Sequence, residues 1–449
     1  MKQKLDHYFV RPITKFVKVE SFGGILLFSA AVIALLWANS PFSDSYVSLW
    51  NYELGFEIGN FHISKNLLHW INDGLMVIFF FLIGLEIKRE ILIGELNSLK
   101  KASLPIFAAL GGVFVPIGIY LALNTNPETH AGWGIPMATD IAFSLAIIQL
   151  LGKRVPLALK IFLTAFAIVD DLVAVLAIAV FYSNNIDWAL ILYSFIPLGV
   201  LFFLGWKGFY HKIIYFTLAV VIWFLFLKSG IHPTIAGILI ALTIPIQRKT
   251  ELSVDMNQLE SITNRLLKKR TSDSPILTHT QINLIDDLQA WTSRVQSPLQ
   301  HLEHIFHGWV AYFIMPIFAL SNAGIVFGAS DHLDFDLASH ISIALIIGKC
   351  VGVVAFSYLA VKLGVAAFPD KVRFKHILGT GFLAGVGFTM SIFVSNLAFH
   401  GSLLYQDSAK VGILIGSSIA GLIGYFVLKS VKPASGEILL SDEEEEEEE

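Results

Sequence analysis

Asp170 and Asp171 stand side by side in "AFAIVDDLVAVLAIAV", residues 165 to 180, and nothing else in that stretch is polar. An aspartate at the centre of a membrane-spanning helix costs roughly 2.5 to 3.5 kcal/mol on insertion scales. Two adjacent ones therefore call for a function or for strong partners on neighbouring helices. Carboxylates at that depth can carry protons or bind a hard cation. Successive residues of a helix point about 100° apart, so the pair can face two sides of one cavity.

A second group of oxygens lies in "GWGIPMATDIAFS", residues 132 to 144, where Gly132, Gly134 and Pro136 precede Thr139 and Asp140. Proline removes a backbone donor and glycine loosens the helix, so carbonyl groups here are freed from the ladder. Such carbonyls, with Thr139 and Asp140, make an all-oxygen set of the kind that suits Na+ or Li+. Taken alone, the segment also reads as a proline kink with a capping Thr and Asp. The third group is Lys349 in "ALIIGKCVGVV", flanked by Gly348 and Gly352. A lysine at that depth must be neutral, paired or in water. Asp170 and Asp171 are both available partners, and a permanent ion pair and a working charge are both open.

Other titratable groups stand nearer the helix ends. Asp73 is followed thirteen residues later by Glu86, about 20 Å further along a helix at 1.5 Å per residue. Glu86 and Glu90 share a face, with Lys88 and Arg89 between them. "LEHIFHGW" brings Glu303, His304 and His307 within one turn. That cluster reads as a pH-responsive patch, as a solvated helix start, or as a zinc site of ordinary spacing. His232 in "KSGIHPT" has the same ambiguity.

The elements that must hold these residues are membrane helices. Of the 449 residues 55% are apolar and 15% charged, and the mean hydropathy is +0.68, far from a soluble domain. The net charge of -4 is set by Asp442 and the seven glutamates after it; of 35 acids, 27 remain without those eight, against 31 bases. Twelve spans are expected, near 21–39, 67–93, 102–123, 130–151, 156–182, 188–205, 212–228, 231–247, 306–328, 339–363, 375–399 and 409–430. Gly230 and Pro233 break the seventh from the eighth. Lysines and arginines collect in alternate loops, which predicts both termini on the cytoplasmic side. The first basic segment, 1–20, leads into a retained first helix rather than a cleavable signal. One membrane domain, 21–430, is expected. Within it, residues 46–64 read as an extracytoplasmic β-hairpin and residues 248–301 as a polar cytoplasmic insertion, partly helical around "QINLIDDLQAWTSRV". Asp286 and Asp287 there read as a solvated face. Residues 431–449 read as a disordered acidic tail. The single cysteine, Cys350, rules out an internal disulfide.

The fourth and eleventh spans are both interrupted by glycine, the latter in "LGTGFLAGVGFTMSIFVSN", and occupy matching places in spans 3 to 5 and 10 to 12. This pairing points to inverted repeats with discontinuous helices. Together, "WINDG…FFLIGLEIKRE", "MATDIAFSL", "AIVDDLVAV", "LKSGIHPTIAG", "EHIFHGWVAY", "SNAGI", "IGKCVG" and "GFTMSIFVSNLAF" resemble the NhaA-type sodium/proton antiporters, in order over most of residues 10 to 430. That family is itself a standard instance of inverted repeats.

The resemblance implies an all-α, twelve-helix bacterial inner-membrane transporter, unwound where the fourth and eleventh helices cross. It would exchange cytoplasmic Na+ or Li+ for external protons, electrogenically and under pH control. By motif, Asp171 and Asp170 would carry ion and proton, with Thr139 and Asp140 lining the crossing. Lys349 would pair with Asp170 or balance the helix ends. Glu86, Arg89, Glu90, Glu303 and His304 would form a cytoplasmic funnel, joined by His307 on the same turn. His232 would affect the pH response, and Asp73 would lie on the ion pathway. The hairpin would join two copies as a homodimer. No cofactor, nucleic acid or enzymatic step is implied. The long insertion and the glutamate tail depart from the family pattern. Of the rivals, a symporter of a small organic solute would need a roomier, aromatic-lined site. An intramembrane aspartyl protease would be expected to carry Gly-x-Gly-Asp, which does not occur in the chain.

Overall fold

Apolar runs punctuated by Gly, Pro and short polar turns fold here into helices whose outward faces remain apolar. The computed structural model describes residues 11–58, 61–183, 186–246, 252–268, 278–326, 333–369 and 371–431. The glutamate tail, Asp331 and the first ten residues lie outside the described residues. Helix α1, Arg11–Ala38, already begins within the segment expected to be a tail. It turns through 116° into α2, Ser43–Trp50.

Helix α2 is a correction. Residues 46–50 were expected to open the hairpin, because "YVSLW" alternates. The winning period is helical: Tyr46 and Trp50, four apart, are both buried, and Gly324 N–H donates to the Tyr46 hydroxyl, which donates to Leu320 O (2.8 Å). The hairpin itself is β1, Glu53–Ile58, against β2, Phe61–Asn66, antiparallel with Glu53 opposite Asn66 and Ile58 opposite Phe61.

Helix α3 begins at Leu67–Trp70, passes through a π-turn at Ile71–Leu75 and runs on through Met76–Leu92. Helix α4 is Leu99–Leu123. A 3-10 segment, Pro127–Met137, then stops at an extended stretch, and α5 follows at Ile141–Leu150, bent by 48°. Helices α6, Leu157–Phe181, α7, Trp188–Trp206, and α8, Lys212–Ser229, are long and apolar. Gly230 ends α8 in the left-handed region (φ 81°), where a residue without Cβ is unstrained. The short α9, Thr234–Thr243, packs on α3 through Gly84 and Gly237. The polar insertion holds α10, Leu252–Lys268, and α11, His279–Val295, with Ile262 and Leu284 buried and Asp286 and Asp287 exposed.

Helix α12, Pro298–Trp309, continues through a π-turn at Val310–Ile314 to Met315–Asn322, so residues 298–301 belong to it and not to the insertion. Helix α13, Phe335–Ile343, likewise passes a π-turn at Ala344–Gly348 before Lys349–Lys362. Helices α14, Phe374–Ala384, and α15, Phe388–Ala398, meet at 41°, and α16 is Leu403–Lys429.

Among the described residues seven helices are long and apolar enough to cross a bilayer, or ten when each bent pair counts once. The chain is a multi-pass membrane protein. The two remaining expected crossings fall on α3, split by its π-turn, and on α9, which has ten residues. The largest buried apolar cluster joins α1, α3, α12, α13 and α15. Helices α4 and α13 approach backbone to backbone: a Cβ on Gly111 or on Gly352 would run into the other's carbonyl oxygen. In a bilayer such small-residue contacts replace the hydrophobic drive for helix association. They bring Lys349, one turn before Gly352, into the protein's interior.

Candidate ion-binding site

Two helix breaks cross and hold each other. Asp140 N–H donates to Val386 O (2.7 Å), and Thr139 Oγ1 donates to Ala384 O (3.0 Å). Ser144 Oγ donates to Leu383 O and Ser391 Oγ to Ile135 O, both at 2.8 Å. The carbonyls loosened by Pro136, Gly385 and Gly387 are thus largely engaged by the opposite break, as buried backbone groups must be. Gly387 is required by this approach, since a Cβ there would meet Ala138 O at 2.9 Å.

Asp140 caps both helices that leave the crossing. Its Oδ1 accepts Phe143 N–H of α5 (3.0 Å), and its Oδ2 accepts both Thr389 Oγ1 (2.6 Å) and Thr389 N–H (3.2 Å) of α15. A negative group before a helix N-terminus satisfies orphan donors and faces the positive end of the helix dipole.

The two central aspartates have unlike surroundings. Asp170 is fully buried and takes Lys349 Nζ on both oxygens, at 3.0 and 2.8 Å. The third donor of the ammonium goes to Thr139 Oγ1 (2.9 Å), so all three N–H groups of Lys349 are used. Asp171 is also buried, yet its Oδ1 has no hydrogen-bond partner. It lines a cavity of ≈ 50 Å³ together with Thr139, Asp140, Thr164 and Thr389. Glu86 lines the same cavity.

At the Glu86 end lies a charged cluster. Arg89 bridges Glu303 (3.0 Å) and Glu90 (3.1 Å), Glu90 accepts Glu95 N–H (2.8 Å), and His307 Nδ1 stands 3.9 Å from Glu86. His304 is exposed, and His307 is the histidine that faces Glu86. Among the described residues no three His, Cys, Asp or Glu side chains gather as a metal site.

Asp73 is at the other end of α3, 3.7 Å from His232 Nε2, and does not line the cavity. Beside it runs a chain of amides: Asn322 Nδ2 donates to Asn72 Oδ1 (2.9 Å), and Asn396 Nδ2 donates to Asn322 Oδ1 (2.8 Å). Phe393, one turn beyond Met390 of the cavity wall, packs on Phe80, Phe318 and His232.

Of the residues singled out in the sequence, Thr139, Asp140, Asp170, Asp171 and Lys349 converge. Glu86 joins them through the cavity, while Asp73 and His232 form a separate pair. Thr389, Thr164 and the asparagine trio were not singled out. Thr389 and Asn396 lie inside "GFTMSIFVSN" and Asn322 inside "SNAGI", so position in a motif was the only signal, and side-chain type added none.

The sequence profile of the family described as Na+/H+ antiporter 1 matches residues 14–428. The chain is 46% identical over 421 residues to the Na(+)/H(+) antiporter NhaA of Oleidesulfovibrio alaskensis, covering 93% of each chain. It is 45% identical over 418 residues to that of Wolinella succinogenes, covering 93% of this chain and 92% of the relative. With Na(+)/H(+) antiporter NhaA 1 of Saccharophagus degradans the identity is 43% over 432 residues, or 95% of this chain and 93% of the relative. Crossed helix breaks, buried carboxylates and this breadth of similarity lead to one conclusion: the chain belongs to the Na+/H+ antiporter 1 family, whose members named here are transporters and not enzymes.

Proposed function

We propose that the protein moves Na+ or Li+ out of the cytoplasm in exchange for entering protons, electrogenically and under pH control, in a bacterial inner membrane. The observation that carries this is Asp171: a buried carboxylate oxygen without a partner, facing a cavity lined by four further oxygen-bearing side chains and open to Glu86. A buried, unpaired carboxylate is costly, so the empty site favours uptake of a proton or a cation. The cavity's ≈ 50 Å³ holds a cation with a little water. Organic ligands occupy roughly 300 to 1,000 Å³, which disfavours a symporter of an organic solute.

In this reading Asp171, with Thr139 and Asp170, takes the metal ion, and no cofactor takes part. Asp170 reaches the ion by leaving Lys349, which then gives up its proton. With the proton that Asp171 gives up as it takes the ion, two protons leave for each Na+ that enters, and net charge moves. Reorientation of the crossed breaks, with spans 3 to 5 and 10 to 12 as inverted repeats, exposes the site alternately. The Glu86, Arg89, Glu90, Glu303 and His307 cluster, with the exposed His304, guards the cytoplasmic mouth and sets the pH response, which His232 also affects, while Asp73 lies on the ion pathway. Both termini are cytoplasmic, and two copies join through the β1–β2 hairpin.

The test is Asp171→Asn in everted vesicles, with Na+-induced dequenching of a pH dye as readout. Normal insertion with exchange abolished is the expected result. Exchange at the wild-type rate would remove Asp171 from the transport site and with it this reading.

A further inference from the structure

A second, larger cleft lies outside the transport site. It has a volume of ≈ 570 Å³ and opens between the starts of α4 and α6 and the segment that follows α13. Its mouth carries Glu95, Lys100 and Lys101, and every other wall is apolar or glycine. Along α6 the wall is Ala158, Ile161, Phe162 and Ala165, one helix face over seven residues, or about 10 Å of depth. Alanine at both ends of that face leaves the space open. The opposite wall is fixed, because Ser103 Oγ of α4 donates to Val365 O (3.0 Å).

The charge at the mouth is unbalanced. Lys101 stands 3.6 Å from Glu95, while Lys100 has no carboxylate partner among the described residues. Among the residues that line the cleft, Lys100 and Lys101 stand against Glu95 as the one acid. A basic mouth at helix ends, over an apolar slot reaching toward mid-membrane, is complementary to an anionic headgroup with a hydrocarbon tail. A free anion would use the mouth and leave the slot unused.

We infer that this cleft binds one anionic phospholipid, its phosphate at Lys100 and Lys101 and one acyl chain along Leu104, Ile161, Phe162 and Ala165. The full-length protein, released from nanodiscs of equal phosphatidylglycerol and phosphatidylcholine, is weighed by native mass spectrometry. Wild type retains phosphatidylglycerol in preference to phosphatidylcholine. Lys100→Gln with Lys101→Gln weakens retention about 25-fold, roughly fivefold for each basic residue near a membrane surface. Ala158→Phe, which fills the slot without touching charge, releases the lipid. Lys212→Gln, a basic residue outside the cleft, changes nothing. The double lysine variant alters exposed side chains only and decides the matter even if Ala158→Phe fails to fold. Equal retention of the two lipids, undiminished retention in the double variant, equal loss with Lys212→Gln, or displacement by inorganic phosphate alone would each overturn the assignment.

Discussion

Asp170 and Asp171 are one position apart in the chain and opposite in circumstance. Lys349 holds the first on both oxygens, whereas Oδ1 of the second has no partner. That both belong to one site was legible from their depth in an apolar span. Which of them meets Lys349 was not, since a helix rotation of tens of degrees would exchange them, and packing between helices fixes that rotation. Thr389 was passed over for a related reason: threonine in a helix usually bonds its own preceding turn. Here it donates to Asp140 twice, through hydroxyl and backbone N–H. Thr389→Val keeps the shape and the backbone bond but deletes the hydroxyl, a charge-assisted bond of about 1.5 to 3 kcal/mol. The expected outcome is a folded protein whose half-saturating Na+ concentration rises about tenfold or more, read from dye dequenching against Na+. An unchanged Na+ dependence would reduce Thr389 to a helix cap.

At the scale of elements, the breaks in the fourth and eleventh spans were readable because Gly132, Gly134, Pro136, Gly385 and Gly387 cannot sustain a rigid ladder. Their mutual stapling was not readable, because it depends on two segments almost 250 residues apart. The π-turns at Ile71–Leu75, Val310–Ile314 and Ala344–Gly348 left no composition signal either. They come from tertiary packing, and π-turns are frequent at functional sites; one of them ends against Lys349. Helix α2 was misread because five residues satisfy a period of two as readily as one helical turn. The glycines of α4 separate packing from propensity. Gly111 touches Gly352 across the helix contact, while Gly118, two turns on, has nothing within 4 Å of where its Cβ would be. Gly111→Ala therefore forces α4 away from α13 and displaces Lys349, at an overpacking cost of about 1 to 3 kcal/mol. Gly118→Ala gains helix propensity of about 0.5 to 1 kcal/mol. Thermal unfolding in detergent is expected to move down for the first and not down for the second, with exchange lost only in the first. Equal effects would show that the α4–α13 contact does not set the site.

For the molecule as a whole, the proposed competition between proton and Na+ would give both a pH dependence and a response to voltage. At low pH the site carries protons and Na+ must displace them, so affinity for Na+ is poor. Raising the pH removes the competitor, and the apparent affinity rises tenfold per pH unit for each proton displaced, until the Na+-free site no longer binds protons. Two displaced protons give about a hundredfold per unit, and one gives tenfold. If the second proton is the one on Lys349, Lys349→Gln removes it, halves that logarithmic slope and makes exchange one for one. A membrane potential works only on net charge, at roughly 2.3 kcal/mol per charge per 100 mV. Proteoliposomes with an imposed potassium diffusion potential then separate the two cases. Wild-type exchange should accelerate or slow with the sign of the potential, and Lys349→Gln exchange should ignore it. Voltage-driven exchange in that variant would assign the second proton elsewhere. Loss of the folded protein would make the Lys349–Asp170 pair a structural bridge, for breaking a buried pair leaves an uncompensated charge at a cost of about 3 to 5 kcal/mol.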